Sequence, residues 1–202
     1  MTEPLQPLVS IDVVPVRFNR EEGRVEFATG ARLFEPFIGE QALPGVLLSS
    51  GESIDEAAER ALSRKVGLPR GVFHQLGAFD STNRDPRGAT ISIALLSAQA
   101  PQAYSETALW HSELTELPFD HSTIIEAGLE VLEQALWRDV SFTRALLGER
   151  FTTADATAIG SPTPHVSNAR RWFETWSHVK RVEVEAKSGS VGRPPVTWEW
   201  VS

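Results

Sequence analysis

No cysteine occurs in the 202 residues, so neither a disulfide framework nor a thiolate metal site is open to this chain. No apolar run approaches the roughly 18 residues that span a bilayer. The opening Met1-Thr-Glu-Pro-Leu-Gln-Pro7 also lacks the charged-then-apolar order of a signal peptide. These absences lead to the expectation of a cytoplasmic protein with no membrane partner. The five histidines, His74, His111, His121, His165 and His178, show no paired spacing of the kind metal ligands use, and no repeat or low-complexity tract interrupts the chain. Positive charge is scarce, with a net charge of −8. The deficit is uneven: residues 1–137 carry ten Lys/Arg against twenty Asp/Glu, whereas residues 138–202 carry nine against seven. Only the C-terminal third, at net +2, would not repel a phosphate backbone.

What is present is ordinary for a globular protein, 41% hydrophobic and 23% charged residues, and enough for two compact domains of unequal size. Ile11, Val13, Val14 and Val16 are β-branched and predict a half-buried strand, and a turn through Glu21, Glu22 and Gly23 leads to a second containing Val25 and Phe27. Ser53 with Glu56 fits a capping box, Ala57, Ala58, Ala61 and Leu62 supply the inner face of the helix it opens, and Gly67 suits its C-terminal cap. Strands are predicted over 73–79 and 90–97, flanking a turn at 83–88. A second helix is predicted over 122–137, with His121 at its start as a structural residue. This alternation predicts a mixed α/β domain over 1–137.

Over 138–202 the pattern changes. A helix within 142–147, a second capped by Thr152 or Thr153 and ending at Gly160, and a third beginning at Thr163-Pro164 precede two strands, 182–186 and 196–200. Helix, helix, turn, helix and a β-wing is the winged-helix order. On the third helix a 100° step places Val166, Ala169, Phe173 and Trp176 on one side and Ser167, Asn168, Arg171 and Thr175 on the other. The polar side is the candidate groove-reading face, with His165 at its start and Arg170 on its flank, better placed for a phosphate than for a base. Lys187 and Arg193 fall on the wing, where phosphates or the minor groove would be reached.

The segment 43–52 through 60–68 resembles the Nudix box, a loop-helix-loop in which Glu52, Arg60, Leu62, Gly67 and Leu68 fall in register and Val46 occupies the place of the first glycine. In active members three glutamates hold divalent metals against a pyrophosphate. Here those positions are Ala61, Arg64 and Lys65. Two cations among three ligand positions repel a metal, so no catalytic residue, metal or cofactor is expected. The resemblance extends through Gln75–Phe79, Asn83–Gly88 and Leu117–His121, and at the other end through Phe151-Thr-Thr, Asn168–Arg171 and Gly192-Arg-Pro194. The chain as a whole is similar to the Nudix-related transcriptional regulators of NAD metabolism.

That resemblance implies an α+β architecture: a Nudix-type α/β/α sandwich with a mixed sheet, then a C-terminal winged helix-turn-helix domain. It implies a homodimer whose N-terminal domain binds ADP-ribose or a related nucleotide or sugar metabolite, and whose C-terminal domain binds double-stranded operator DNA. The effector residues expected are Arg84 and Arg87, two guanidinium forks on one turn, with Arg64 and Lys65 as a metal-free phosphate clamp and Glu52 beside them. A plainer reading is that Asp85 and one arginine pin the turn and that Arg64 and Lys65 are solvated charges. Two rivals are an active pyrophosphatase using Glu52, Glu56 or Glu59 as substitute ligands, and a non-catalytic module that binds protein through its winged helix.

Overall fold

The computed structural model describes residues 6–183 and 195–201. At its centre lies a mixed sheet of seven strands, β1 Leu8–Asn19, β2 Arg24–Ala31, β3 Gln41–Ala42, β4 Gly45–Leu47, β5 Val72–Phe79, β6 Thr90–Ala98 and β7 Leu109–His111. The main path runs β3-β2-β1-β6-β5, with β4 paired to β1 and β7 to β2. Only β1 and β6 run parallel, from Leu8 opposite Thr90 to Val16 opposite Ala98; the other pairs are antiparallel.

β1 is not half-buried as expected but buried on both faces, because helices cover the sheet on either side, and its period of two assigns each side chain to a layer. Ile11 and Val13 join Ala28, Leu95 and the helix α1, Ile54–Ala61, in one apolar cluster. Val14, Val16 and Phe18 join Leu96 and the helices α2, His121–Ala135, and α3, Val140–Leu147, in the other. The result is the expected α/β/α sandwich. Asp12 shares the even-numbered face and so points towards the start of α2, which places a carboxylate inside the protein.

α1 forms where the local signals put it. Ser53 accepts from the Glu56 backbone N–H and the Glu56 carboxylate from that of Ser53, a complete capping box of the kind whose loss costs about 1 kcal/mol. Its last turn differs from the expected α-helix: residues Leu62–Val66 form a π turn, closed by Gly67 at φ 61°. The turn lies hard against β2, where an added Cβ at Gly30 would come within 2.7 Å of Val66 Cγ1 and 3.0 Å of the Lys65 carbonyl oxygen.

The C-terminal elements are α3, β8 Arg150–Thr152, α4 Thr153–Gly160, a 3-10 turn Val166–Asn168, α5 Ala169–Thr175, β9 Val179–Val182 and β10 Thr197–Trp200. β10 lies between β8 and β9, antiparallel to both. Thr152 caps α4 through a second capping box, with Asp155. The third C-terminal helix begins later than Thr163-Pro164 predicts. Thr163 accepts a turn conformation instead, its N–H donating to Ser161 Oγ and its hydroxyl to the His165 carbonyl, so local side-chain bonds displace the first helical turn. The wing strand also starts earlier, at Val179 rather than Val182, and the stretch from 184 to 186 lies outside the described residues. β8, unforeseen, is fixed by pairing Phe151 with Trp198. α2 stops at Ala135 rather than 137, because its C-cap Leu136 leaves the helical region at ψ 129°; Trp137 follows with a left-handed φ of 65°.

Candidate functional site

A cleft of about 340 Å³ opens between the C-terminal end of α1, the 31–47 segment, the 84–87 turn and the start of α2. Its floor is a buried ionic network. The Arg84 guanidinium, 3% exposed, donates from Nε to both carboxylate oxygens of Asp120, at 3.1 and 3.0 Å, and from one terminal nitrogen to Asp120 Oδ1 at 2.7 Å and Asp12 Oδ2 at 3.2 Å. Asp12 accepts further bonds from Ser10 and Ser92. Burial works against the Arg84 charge, but the hydrogen bonds and charges of Asp120 and Asp12 outweigh it and raise its pKa. Gly45 makes room for this arrangement, since a Cβ there would stand 2.0 Å from Asp12 Oδ1.

His121 closes the floor. Its Nδ1 accepts the Leu43 backbone N–H at 3.0 Å, which leaves the ring proton on Nε2, 3.9 Å from Asp12 Oδ1. The contact with Asp12 suggests an ion pair, yet the accepting Nδ1 belongs to a neutral ring, and burial lowers the pKa more than the acidic neighbours raise it. His121 is structural, as its position at the helix start led us to expect.

Around the rim the cations are fixed in different ways. Arg87 turns back onto Asp85, Nε at 2.9 Å and a terminal nitrogen at 2.6 Å, while its side chain stays half exposed. The pair lowers the Asp85 pKa and raises that of Arg87. Arg32, which the sequence reading missed, donates to the Pro36 and Phe34 carbonyls and lies 4.7 Å over the Phe119 ring; burial and the nearby Arg87 charge lower its pKa. Its only signal in sequence was a basic residue at the end of a strand. Lys65 reaches the cleft and makes no ion pair or side-chain hydrogen bond among the described residues.

The remaining effector candidates stand elsewhere. Arg64 is exposed and does not line the cleft. Glu52 is held by Arg60 through both oxygens, at 2.7 and 2.6 Å, and by the Ser49 N–H, bonds that bring its pKa down to about 2 and tie the 47–52 loop. The structure thus brings Arg84, Arg87 and Lys65 together and leaves Arg64 and Glu52 outside.

The divalent metals of the Nudix reaction do not fit these residues. Ala61 is fully buried among Ala57, Ala58 and Leu62, and Arg64 and Lys65 are cations. The possible substitutes are engaged: Glu52 with Arg60, Glu56 in the α1 cap and Glu59 with Arg70. Among the described residues no three His, Cys, Asp or Glu gather around a common point.

The second candidate surface is on α5. Ala169 and Phe173 are buried; Arg170 and Arg171 are exposed, Arg170 pairing with Glu174 at 3.3 Å. His165, Ser167 and Asn168 are also exposed, but on the 3-10 turn and the loop before it rather than on the helix. Lys187 and Arg193 lie outside the described residues. No described helix is long and apolar enough to cross a membrane.

No family model matches the chain. Over 129 residues it is 32% identical to the ADP-ribose pyrophosphatase of Methanocaldococcus jannaschii, covering 60% of this chain and 73% of that protein. The crystal structure of Shewanella oneidensis NrtR complexed with a 27mer DNA superposes with a TM-score of 0.76 at 22% identity, over 96% of this chain and 93% of the other. The NUDIX domain of the same protein, complexed with ADP ribose, matches 64% of this chain and 90% of its own length, with a TM-score of 0.55 and 24% identity. The first structure shows that the fold extends through the C-terminal winged helix, and the sequence match carries the assignment of kinship. The chain belongs to the Nudix family.

Proposed function

We propose that this protein is a ligand-responsive DNA-binding regulator whose Nudix domain holds ADP-ribose, or a related nucleotide or sugar metabolite, without hydrolysing it. The observation that carries the reading is the exchange of charge at the box: cations stand where a hydrolase keeps its metal-binding carboxylates. An anionic diphosphate can then be met by Lys65, Arg32 and Arg87 directly, with no metal between. The likeness to a regulator solved with DNA and with ADP ribose supports the same assignment. We divide the chain into a sensing part, residues 1–137, and a DNA-binding part, residues 138–202. On this reading Arg171 faces bases in the major groove, Arg170, Lys187 and Arg193 meet phosphates, and His165, Ser167 and Asn168 approach the duplex from the turn before α5. A cytoplasmic homodimer would place two α5 helices on half-sites about one DNA turn apart.

The decisive experiment pairs two measurements on the full chain. Calorimetry with ADP-ribose should show binding in the presence of EDTA, and an assay for product release from ADP-ribose with magnesium should show no turnover above buffer. The name of the Methanocaldococcus jannaschii relative favours one other reading, a pyrophosphatase with substitute ligands. Steady magnesium-dependent turnover abolished by EDTA would establish that reading in place of ours.

A further inference from the structure

The two places that this function requires to communicate are joined by one helix. α2 begins at the cleft, where the Phe119 ring lies under the Arg32 guanidinium at 4.7 Å, edge-on to Phe37 at 5.1 Å and beside His121 at 5.0 Å. The next residue, Asp120, grips Arg84. The helix ends beneath α5. There the Trp137 ring stands 5.2 Å from Phe173, 6.0 Å from Trp172 and 5.9 Å from Trp176, and its Nε1–H donates to the carbonyl of Gly160, the last residue of α4, at 2.5 Å. Between these ends run 15 residues, about 22 Å at 1.5 Å per residue, seated on the sheet through Ile124, Ile125, Gly128 and Leu132.

Both ends share an uncommon backbone. Phe119 has φ 62° and Trp137 φ 65°, the left-handed region that a bulky side chain enters only when its surroundings over-determine it. At one end the surroundings are the cleft cation and its loop; at the other they are the aromatic residues of α5. A side chain held this way loses its backbone conformation when its packing partner moves, and a hydrogen-bonded helix does not absorb that change by compressing.

We propose that α2 is the lever through which occupancy of the cleft sets the position of α5, with Phe119 as its input and Trp137 as its output. This rests on reading the cleft as the ligand site and α5 as the DNA-contacting helix. The input works by competition: an anion drawn to Arg32 takes the guanidinium away from the Phe119 face, and Phe119 is joined directly to Asp120 and the first turn of α2. The output works by packing, because Trp137 touches three side chains of α5 and its immediate C-cap while its indole N–H holds the end of α4.

A double-mutant cycle tests the lever without ligand or DNA. Phe119→Gly removes the ring and lets the backbone adopt φ 62° without strain. Native-state hydrogen exchange on the full chain should then show the amides of 169–175 exchanging about fivefold faster or more, at unchanged or separately corrected global stability from urea unfolding. In a Trp137→Leu background the same change should have little effect on those amides. Trp137→Phe, which keeps an aromatic ring and loses the N–H, serves if the leucine variant does not fold. If Phe119→Gly leaves α5 exchange unchanged, or alters it by the same factor with and without Trp137, α2 is an inert strut and the proposal fails. Saturating ADP-ribose supplies the second arm. Binding by calorimetry with no change in α5 exchange also overturns the lever, whereas absence of binding overturns the ligand reading and leaves the cycle to decide the lever.

Discussion

In the cleft, Arg84 is held between Asp12 and Asp120 and Arg87 on Asp85, while on α5 Arg171 is exposed and makes no ion pair among the described residues. The same residue type is thus used in two ways. Arg84 and Arg87 are fixed by carboxylates before any ligand arrives, so on the proposed function their donors lose little freedom when a small anion binds, whereas Arg32 is held by backbone carbonyls. On α5, Arg171 keeps its freedom and Arg170 shares only an exposed pair with Glu174, which on the proposed function suits a phosphate backbone whose contacts are many, individually weak and screened by salt. The acidic excess of residues 1–137 includes the carboxylates that position Arg84 and Arg87, while in the C-terminal third Arg144, Arg150, Arg170 and Lys180 each pair with a glutamate and Arg171 does not among the described residues.

The largest loss is expected at Arg84. Arg84→Ala would strand two largely buried carboxylates, and removing one partner of a buried ion pair costs about 3–5 kcal/mol, so urea unfolding should show a loss of that order. A loss below about 1 kcal/mol would mean that water or rearrangement relieves the network. Arg87 sharpens the contrast within the cleft itself, because it is half exposed and only partly committed to Asp85. Arg87→Ala should leave folding nearly intact and weaken ADP-ribose by about 1.5–3 kcal/mol, roughly tenfold or more, in calorimetry. Equal affinity would make both turn arginines structural.

At α5 the expected losses are in DNA binding rather than stability. Arg171→Ala should cost about 1–3 kcal/mol on operator DNA and little on a scrambled duplex, by fluorescence anisotropy. Arg170→Ala, whose pair with Glu174 is exposed, should weaken both duplexes alike. If Arg171→Ala binds both duplexes as the parent does, α5 does not read bases, and a protein partner becomes the better account of this surface.

The smallest effect is a pH dependence confined to the cleft. His121 has its pKa lowered by burial, below the ordinary value near 6.5 that it regains on unfolding. Below about pH 6.5 the unfolded chain therefore binds the proton that the folded chain refuses, so this contribution is present above pH 6.5 and is lost as the pH falls towards the folded value. The urea midpoint should drop between pH 7.5 and 5.5, and drop less in His121→Gln, which keeps an acceptor for the Leu43 N–H. Equal slopes in the two proteins would show that His121 does not titrate with unfolding.

Much of the fold was legible because its signals are local. Ser53 with Glu56 and the left-handed Gly67 act within a few residues, whereas the choice of Thr152 over Thr153 as the α4 cap, and the burial of β1 on both faces, came only with the packed structure. The start of α5 was not legible, because Thr163 prefers a turn that satisfies the same backbone groups. Arg32 escaped for a different reason: what makes it part of the cleft is Phe119, far along the chain, and neither residue belongs to a motif.

The capping box of α1 and the register of the box that puts Ala61, Arg64 and Lys65 where a hydrolase keeps glutamates follow from residue order alone. Caps, periods and motif spacings act over a few residues, so they are written in the order of the chain. Which charges meet depends on how the elements pack. Arg84 finds Asp120 across 36 positions and Asp12 across 72, and Trp137 closes on α5. Such partners are chosen by which buried groups must be neutralised and which faces the sheet brings together, and that choice leaves no period in the sequence to read.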